Sequence, residues 1–198
     1  MYLPFIDDPE HLHAVDGERY VVLRPSGNVL QPWQNAKSKI QRILSGQRYS
    51  FPATPHVTLA GFPRGTPLDQ LQAAVGDWAR QVAPLRLVVE RLSHFDGPLV
   101  IPYVEIRKSP ELAEAQKLLI EMARRNAIAA DAAIPPEAWV FHMSVAYCGE
   151  LAAESRAAVE HLFEPTSIPT LECVVNAAEI AAYDNGSERS GGEYPFRG

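Results

Sequence analysis

Pro55-His56-Val57-Thr58-Leu59 and Phe141-His142-Met143-Ser144-Val145 are two versions of one short pattern: a histidine, then a hydroxyl side chain two positions on, set among apolar residues. In a β-strand, residues i and i+2 share a face, so each segment presents an imidazole and a hydroxyl side by side. One copy carries little information, because a Ser or Thr stands at that distance from a histidine by composition alone in roughly one case in ten. The surroundings repeat as well. Arg19-Tyr20-Val21-Val22-Leu23-Arg24 reads as a buried strand, followed by a helix with Trp33, Ile40 and Leu44 on one face, then the first motif between Phe51 and Phe62. Leu99 to Ile106 reads as a strand, followed by a helix opened by Ser109-Pro110-Glu111, then the second motif between Trp139 and Tyr147. A further amphipathic helix follows each motif, the first opened by Thr66-Pro67 with Leu71, Val75 and Trp78 at helical spacing, the second from Ala152 to Phe163. The chain thus reads as an imperfect internal duplication, an α+β fold of two lobes packed about a pseudo-twofold axis. That packing brings the two motif strands together at a central cleft.

The remaining pattern adds a strand over Leu85 to Glu90, a long strand over Leu171 to Tyr183, a turn over Gly186 to Gly192 and a short closing strand at Tyr194-Pro195-Phe196. Ala127 to Ala138 reads as a loop turning at Pro135-Pro136. We expect residues 1–18 to form an N-terminal segment and 19–198 a single bilobal domain. With 46% hydrophobic and 21% charged residues the composition is that of a folded globular protein. The formal charge of −6 argues against a sequence-blind grip on duplex DNA, which needs many Lys and Arg on phosphates. Cys148 and Cys173 show no CxxC spacing and read as reduced thiols. The N-terminus carries Asp7, Asp8 and Glu10 and lacks the basic and apolar regions of a secretory signal, and no apolar run reaches the roughly 20 residues of a membrane span. A cytoplasmic monomer with no membrane partner is expected.

Two imidazoles and two hydroxyls around one cleft suit acid–base chemistry at a phosphoester. Hydrolysis of a 2′,3′-cyclic phosphate needs a base to activate water and an acid to protonate the departing ribose oxygen. Imidazole titrates near neutrality, so His56 and His142 can divide these roles. Thr58 and Ser144 can donate hydrogen bonds to the non-bridging oxygens, where charge develops in the transition state. No cofactor or metal is called for, and the pH–rate profile should be bell-shaped. The other histidines lack this setting: His11-Leu12-His13 has no further ligands for a metal, His94 lies before a turn at Asp96-Gly97 without a hydroxyl partner, and His161 lies on a helix.

The paired segments His56-Val57-Thr58-Leu59 and His142-Met143-Ser144-Val145 resemble the signature of the 2H phosphoesterase superfamily, in particular its LigT-like group of 2′-5′ RNA ligases and RNA 2′,3′-cyclic phosphodiesterases. The resemblance extends over roughly residues 19 to 196, with Phe62 after the first motif and a late strand followed by a Gly-rich turn and Tyr194. It implies two antiparallel β-sheets with outer helices, His56 and His142 as the acid–base pair, Thr58 and Ser144 as phosphate-oxygen donors, and either cyclic-phosphate hydrolysis or reversible 2′-5′ ligation. The partner implied is a nucleotide or an RNA end bearing a cyclic phosphate. For stacking on its base we look to Phe62, Tyr147 and Tyr194, since aromatic faces stack on nucleobases. A non-catalytic RNA-end or nucleotide-binding module on the same fold is the alternative, and loss of either histidine discriminates the two.

Overall fold

The computed structural model describes residues 15–52, 54–97, 100–131, 134–149, 151–164, 168–185 and 187–198. The expectations for His11, His13 and Gly186 lie outside them. Ten strands and four α-helices alternate along the described chain. The first four-stranded antiparallel sheet has the order β10-β9-β1-β3, where β1 is Arg19–Leu23, β3 Val57–Phe62, β9 Ala177–Asp184 and β10 Ser187–Pro195. The second has the order β6-β5-β4-β8, where β4 is Leu85–Phe95, β5 Ile101–Ile106, β6 His142–Ser144 and β8 Glu172–Val175. The motif strands β3 and β6 therefore sit at equivalent edges, each paired with the strand that opens its half. A two-stranded ladder between β2 (Tyr49–Ser50) and β7 (Tyr147–Cys148) ties the approach to the first motif to the exit from the second. The α+β duplication read from the sequence is thus the fold.

The helices form where the apolar spacing placed them. In α1 (Leu30–Ile43) Trp33, Ala36 and Ile40 are buried; in α2 (Leu68–Ala79) Leu71, Val75 and Trp78 are. Helix α3 (Pro110–Arg125) starts as its sequence demands: the Ser109 side chain accepts from the Leu112 amide at 3.1 Å and Pro110 occupies the first turn. Trp78 crosses from α2 to α3, its buried indole N–H donating to the Ala115 carbonyl at 2.8 Å. Helix α4 (Ala153–Leu162) follows the second motif.

Three strand readings are corrected. Leu171 to Tyr183 is not one strand: it breaks at Asn176, with β8 in one sheet and β9 in the other. The second motif strand is likewise two short pieces, β6 and β7, in different sheets. The expected turn before Tyr194 is largely strand, because β10 runs nine residues from Ser187 and absorbs Gly191 and Gly192 as an irregularity in its register with β9. The final strand is accordingly longer than the short one expected.

Two apolar clusters result. The main one runs through both lobes between sheets and helices, from Val21 and Leu23 to Met143 and Val145. A smaller one, with Val15, Val22, Ile101, Tyr147, Ala181 and Tyr183, lies on the other sheet faces. Strand alternation separates them, Val21 pointing into the main core and Val22 into the smaller cluster. That second face floors the cleft.

Candidate active site

Both motifs open on one cavity of about 330 Å³, whose walls include His56, Thr58, His142 and Ser144. The two imidazoles are held in the same way. His56 shares a hydrogen bond between Nδ1 and the Thr54 carbonyl at 2.9 Å, and His142 one between Nδ1 and the Val140 carbonyl at 2.8 Å. A carbonyl can only accept, so each Nδ1 carries the proton in the neutral ring and each Nε2 is left with a lone pair. Across the strands Thr58 pairs with Val22 and Ser144 with Tyr103, which sets each hydroxyl residue in a strand ladder, Thr58 at the edge of an irregularity in its register.

Two tryptophans lock the motif backbones crosswise. Trp33, from the first half, donates to the Ser144 carbonyl at 2.8 Å; Trp139, from the second half, donates to the Thr58 carbonyl at 3.3 Å. Edge strands leave carbonyls unpaired, and an indole N–H satisfies one in each motif.

The electrostatic surroundings differ between the histidines. Arg24 at the end of β1 holds Glu179 at 2.7 Å and Glu188 at 3.0 Å, and donates to the Thr54 hydroxyl at 2.6 Å. Thr54 in turn carries the carbonyl that orients His56. Tyr183 donates to Glu188 at 3.1 Å. Burial lowers the His56 pKa below its ordinary value and Arg24 acts in the same sense, while the Thr54 carbonyl, Glu188 and Glu179 oppose them. His142 instead sits against aromatic rings, 4.9 Å from Phe95 and 5.3 Å from Tyr103 between centroids. Burial pulls it down to about 4, the Val140 carbonyl opposing and the charge of His56 adding to the fall. Burial also raises the Tyr147 phenol, a hydrogen bond with Ser144 offsetting part of it, so this group is a neutral hydroxyl at physiological pH.

Of the aromatic residues expected to meet a base, the structure brings only Tyr147 to the cleft. Phe62 is 2% exposed and lies in the main core. The cause is a bulge in β3: Val21 pairs with Ala60 and Val22 with Thr58, leaving Leu59 as an extra residue. Past it the alternation is inverted, so Phe62 points away from the face that carries Thr58. Tyr194 packs on the opposite face of its sheet, against Gly76 of α2, and donates to the Gly191 carbonyl at 3.3 Å. Tyr20, Phe95, Trp139 and Tyr183 line the cleft instead. Trp139 could have been suspected from its place three residues before His142. The others, with Arg24, Glu179 and Glu188, carry no local signal. Arg48 and Arg64, the basic residues nearest the first motif, are exposed and are not among the cleft residues.

Away from the cleft, His94, Asp96 and Glu160 place ligand-type atoms within 4.8 Å of one another. They already have partners, Asp96 lying 3.1 Å from the His94 ring and Glu160 pairing with Arg156 at 2.7 Å. No helix among the described residues is long and apolar enough to cross a membrane.

A family model described as the 2′-5′ RNA ligase superfamily matches residues 23–187. None of the curated proteins matches. Among solved structures, TT0787 of Thermus thermophilus superposes with a TM-score of 0.65 at 14% identity, over 91% of this chain and 98% of that one. E. coli LigT complexed with 3′-AMP gives 0.58 at 12% identity, over 92% and 99%. Kluyveromyces marxianus Usb1 gives 0.54 at 9% identity, over 92% and 100%. At these identities the likeness is one of fold. The family match spans most of the chain and both His-x-hydroxyl motifs: the protein belongs to the 2′-5′ RNA ligase superfamily, and with it to the 2H phosphoesterases.

Proposed function

We propose that the protein hydrolyses 2′,3′-cyclic phosphates, on RNA ends or small nucleotides, by two-histidine acid–base catalysis. The observation that carries this reading is the matched pair of imidazoles, each anchored through Nδ1 to a carbonyl two residues back, with a hydroxyl beside it on the wall of one cavity. Each free Nε2 can exchange a proton with substrate. The superfamily supports a phosphoester reaction, and the LigT complex with 3′-AMP shows that a neighbour of this fold holds a nucleotide.

The surroundings divide the roles. Burial and Arg24 lower His56, but the Thr54 carbonyl, Glu188 and Glu179 oppose them; His142, buried against aromatic rings, has only the Val140 carbonyl in its favour, and any charge on His56 lowers it further. His142 is then the neutral base and His56 the protonated acid. Water attacks phosphorus as His142 removes its proton; the bond from phosphorus to one ribose oxygen breaks, and His56 donates the proton that this oxygen takes. The product is a ribose hydroxyl beside a phosphomonoester. Thr58 and Ser144 donate to the equatorial oxygens.

The test is turnover of nucleoside 2′,3′-cyclic phosphates and of a short RNA ending in one, in excess EDTA, by wild type, His56→Ala and His142→Ala. Turnover that ignores EDTA and falls by about 10²-fold or more in each variant is expected. A folded wild type inert on all of them overturns the reading. A wild type without turnover whose nucleotide binding survives unchanged in both variants would indicate a binding module.

A further inference from the structure

A second cavity, of about 490 Å³, adjoins the catalytic cleft, and the two share Trp139 and Ile134 as walls. It lies against the bulged edge of β3. Leu59, Ile120, Ile128 and Pro135 give it apolar sides. Three polar side chains also line it: Gln116, Arg124 and the exposed Asp131. Gln116 is 1% exposed, and its carboxamide donates to the Leu59 carbonyl at 2.9 Å, so a fixed amide edge lies in the cavity wall. Arg124, in the last turn of α3, lies exposed at the rim and forms no ion pair among the described residues.

The catalytic cleft has a complementary composition. Its walls are Tyr20, Phe95, Trp139, Tyr147 and Tyr183 with aliphatic neighbours, and no Lys or Arg is among its described lining residues. The nearby Arg24 is already held by Glu179 and Glu188. That cleft is equipped for one phosphodiester, handled by imidazoles and hydroxyls, and for no second phosphate. The side cavity has the cation that the cleft lacks. Its volume is that of a small-molecule site, and its apolar sides, the fixed Gln116 amide and the Asp131 carboxylate offer a flat heteroaromatic base both stacking surface and hydrogen-bond partners.

We propose that the side cavity is a second nucleoside subsite, which takes the nucleoside next to the one whose cyclic phosphate reacts. The reacting phosphate lies at His56 and His142, the chain passes over Trp139, and the linking phosphate meets Arg124. The substrate class is therefore an oligonucleotide end in preference to a mononucleotide. This rests on the cyclic-phosphate reading above, and the test separates the two.

Two measurements are made on wild type, Ala129→Trp, Ile120→Trp and Arg124→Ala. The first is kcat/KM for a nucleoside 2′,3′-cyclic phosphate and for a dinucleotide ending in the same group. The second is calorimetric binding of the 3′-phosphorylated mononucleotide and dinucleotide, which needs no catalysis. Wild type should prefer the dinucleotide by about tenfold or more, the contribution of one stacked base. Ala129 is exposed on the cavity wall, so a tryptophan there fills the space with little risk to the fold. The dinucleotide preference should vanish in Ala129→Trp and in Ile120→Trp, with mononucleotide values unchanged, and should largely vanish in Arg124→Ala. Absence of a preference in wild type overturns the proposal. So does a preference that survives filling, or an equal loss on both substrates, which would mean the cavity holds the reacting nucleotide's own base. If neither substrate turns over but dinucleotide binding is tighter and is lost on filling, the subsite stands and the catalytic reading falls. Equal binding of the two overturns the subsite whatever the activity.

Discussion

Each motif imidazole has one nitrogen committed to a backbone carbonyl, so in the proposed mechanism a single atom, Nε2, does the chemistry. Orientation costs nothing during turnover because it is built into the loop before each strand. The hydroxyls depend on the same rigidity. Thr58→Val and Ser144→Ala should each lower kcat on a nucleoside 2′,3′-cyclic phosphate by about 10²-fold, the usual effect of deleting one donor to a developing oxyanion. A variant that keeps wild-type kcat removes its hydroxyl from the mechanism. The pKa directions set the pH response. His142, lowered to about 4, must be neutral to act as base, so kcat/KM should rise as pH passes that value. His56 must be protonated to act as acid, and its pKa lies below the ordinary 6.5, so kcat/KM should fall as pH rises through that lowered value. The maximum therefore lies on the acid side of 6.5. Glu188→Gln removes a carboxylate that favours charged His56 and frees positive charge on Arg24; both effects should move the alkaline limb to lower pH. A profile with an unmoved limb would reassign the acid.

Among the elements, the edge strands are the ones that had to be managed. β3 is covered along its free side by Gln116 on the Leu59 carbonyl, Trp139 on the Thr58 carbonyl and the Asp131 amide on the Gly61 carbonyl at 2.8 Å. β6 receives Trp33 on the Ser144 carbonyl. These contacts block pairing with another chain and fix the height of each hydroxyl in the cleft. Trp33 is 6% exposed and is not among the cleft residues, so Trp33→Phe tests the positioning role without touching substrate. It should cost about 1 kcal/mol of stability in urea unfolding and lower kcat severalfold with KM little changed. A stability loss with unaltered kcat would make the contact structural only. Gly191 is a second sensitive point. A Cβ there would meet Ile180 Cγ2 at 2.8 Å and Leu68 Cδ1 at 3.2 Å, and Ile180 is fully buried. Gly191→Ala should destabilise by about 1–3 kcal/mol, read as a lowered Tm.

For the whole molecule, the connections matter more than the lobes. The chain leaves β3 through α2 to build the second sheet, and leaves the second motif through α4 and β8 to complete the first. The β2–β7 ladder adds a seam beside the cleft, and one apolar cluster runs through both halves. Neither half has a closed core of its own. Urea unfolding followed by far-ultraviolet circular dichroism and by tryptophan fluorescence should give one coincident transition. Two separated transitions would show that the lobes fold independently.

By itself the sequence determined whatever depends on local spacing. The helices came from apolar periodicity, the Ser109 cap from side-chain chemistry, and the imidazole–hydroxyl pairs from strand geometry. The duplication followed from the repeated order of these elements. Tertiary structure decided which other side chains join them. A one-residue bulge at Leu59 inverts the face of Phe62, and no composition rule announces it. The break at Asn176 sends one apolar run into two sheets, β8 pairing with β4 in the second and β9 with β1 in the first, a partner choice made only between distant strands. Arg24, Glu179 and Glu188 become one network only when β1, β9 and β10 lie side by side. The asymmetry between two near-identical histidines arises from that assembly: charge is set by neighbours in space, and neighbours in space are chosen by the sheet order.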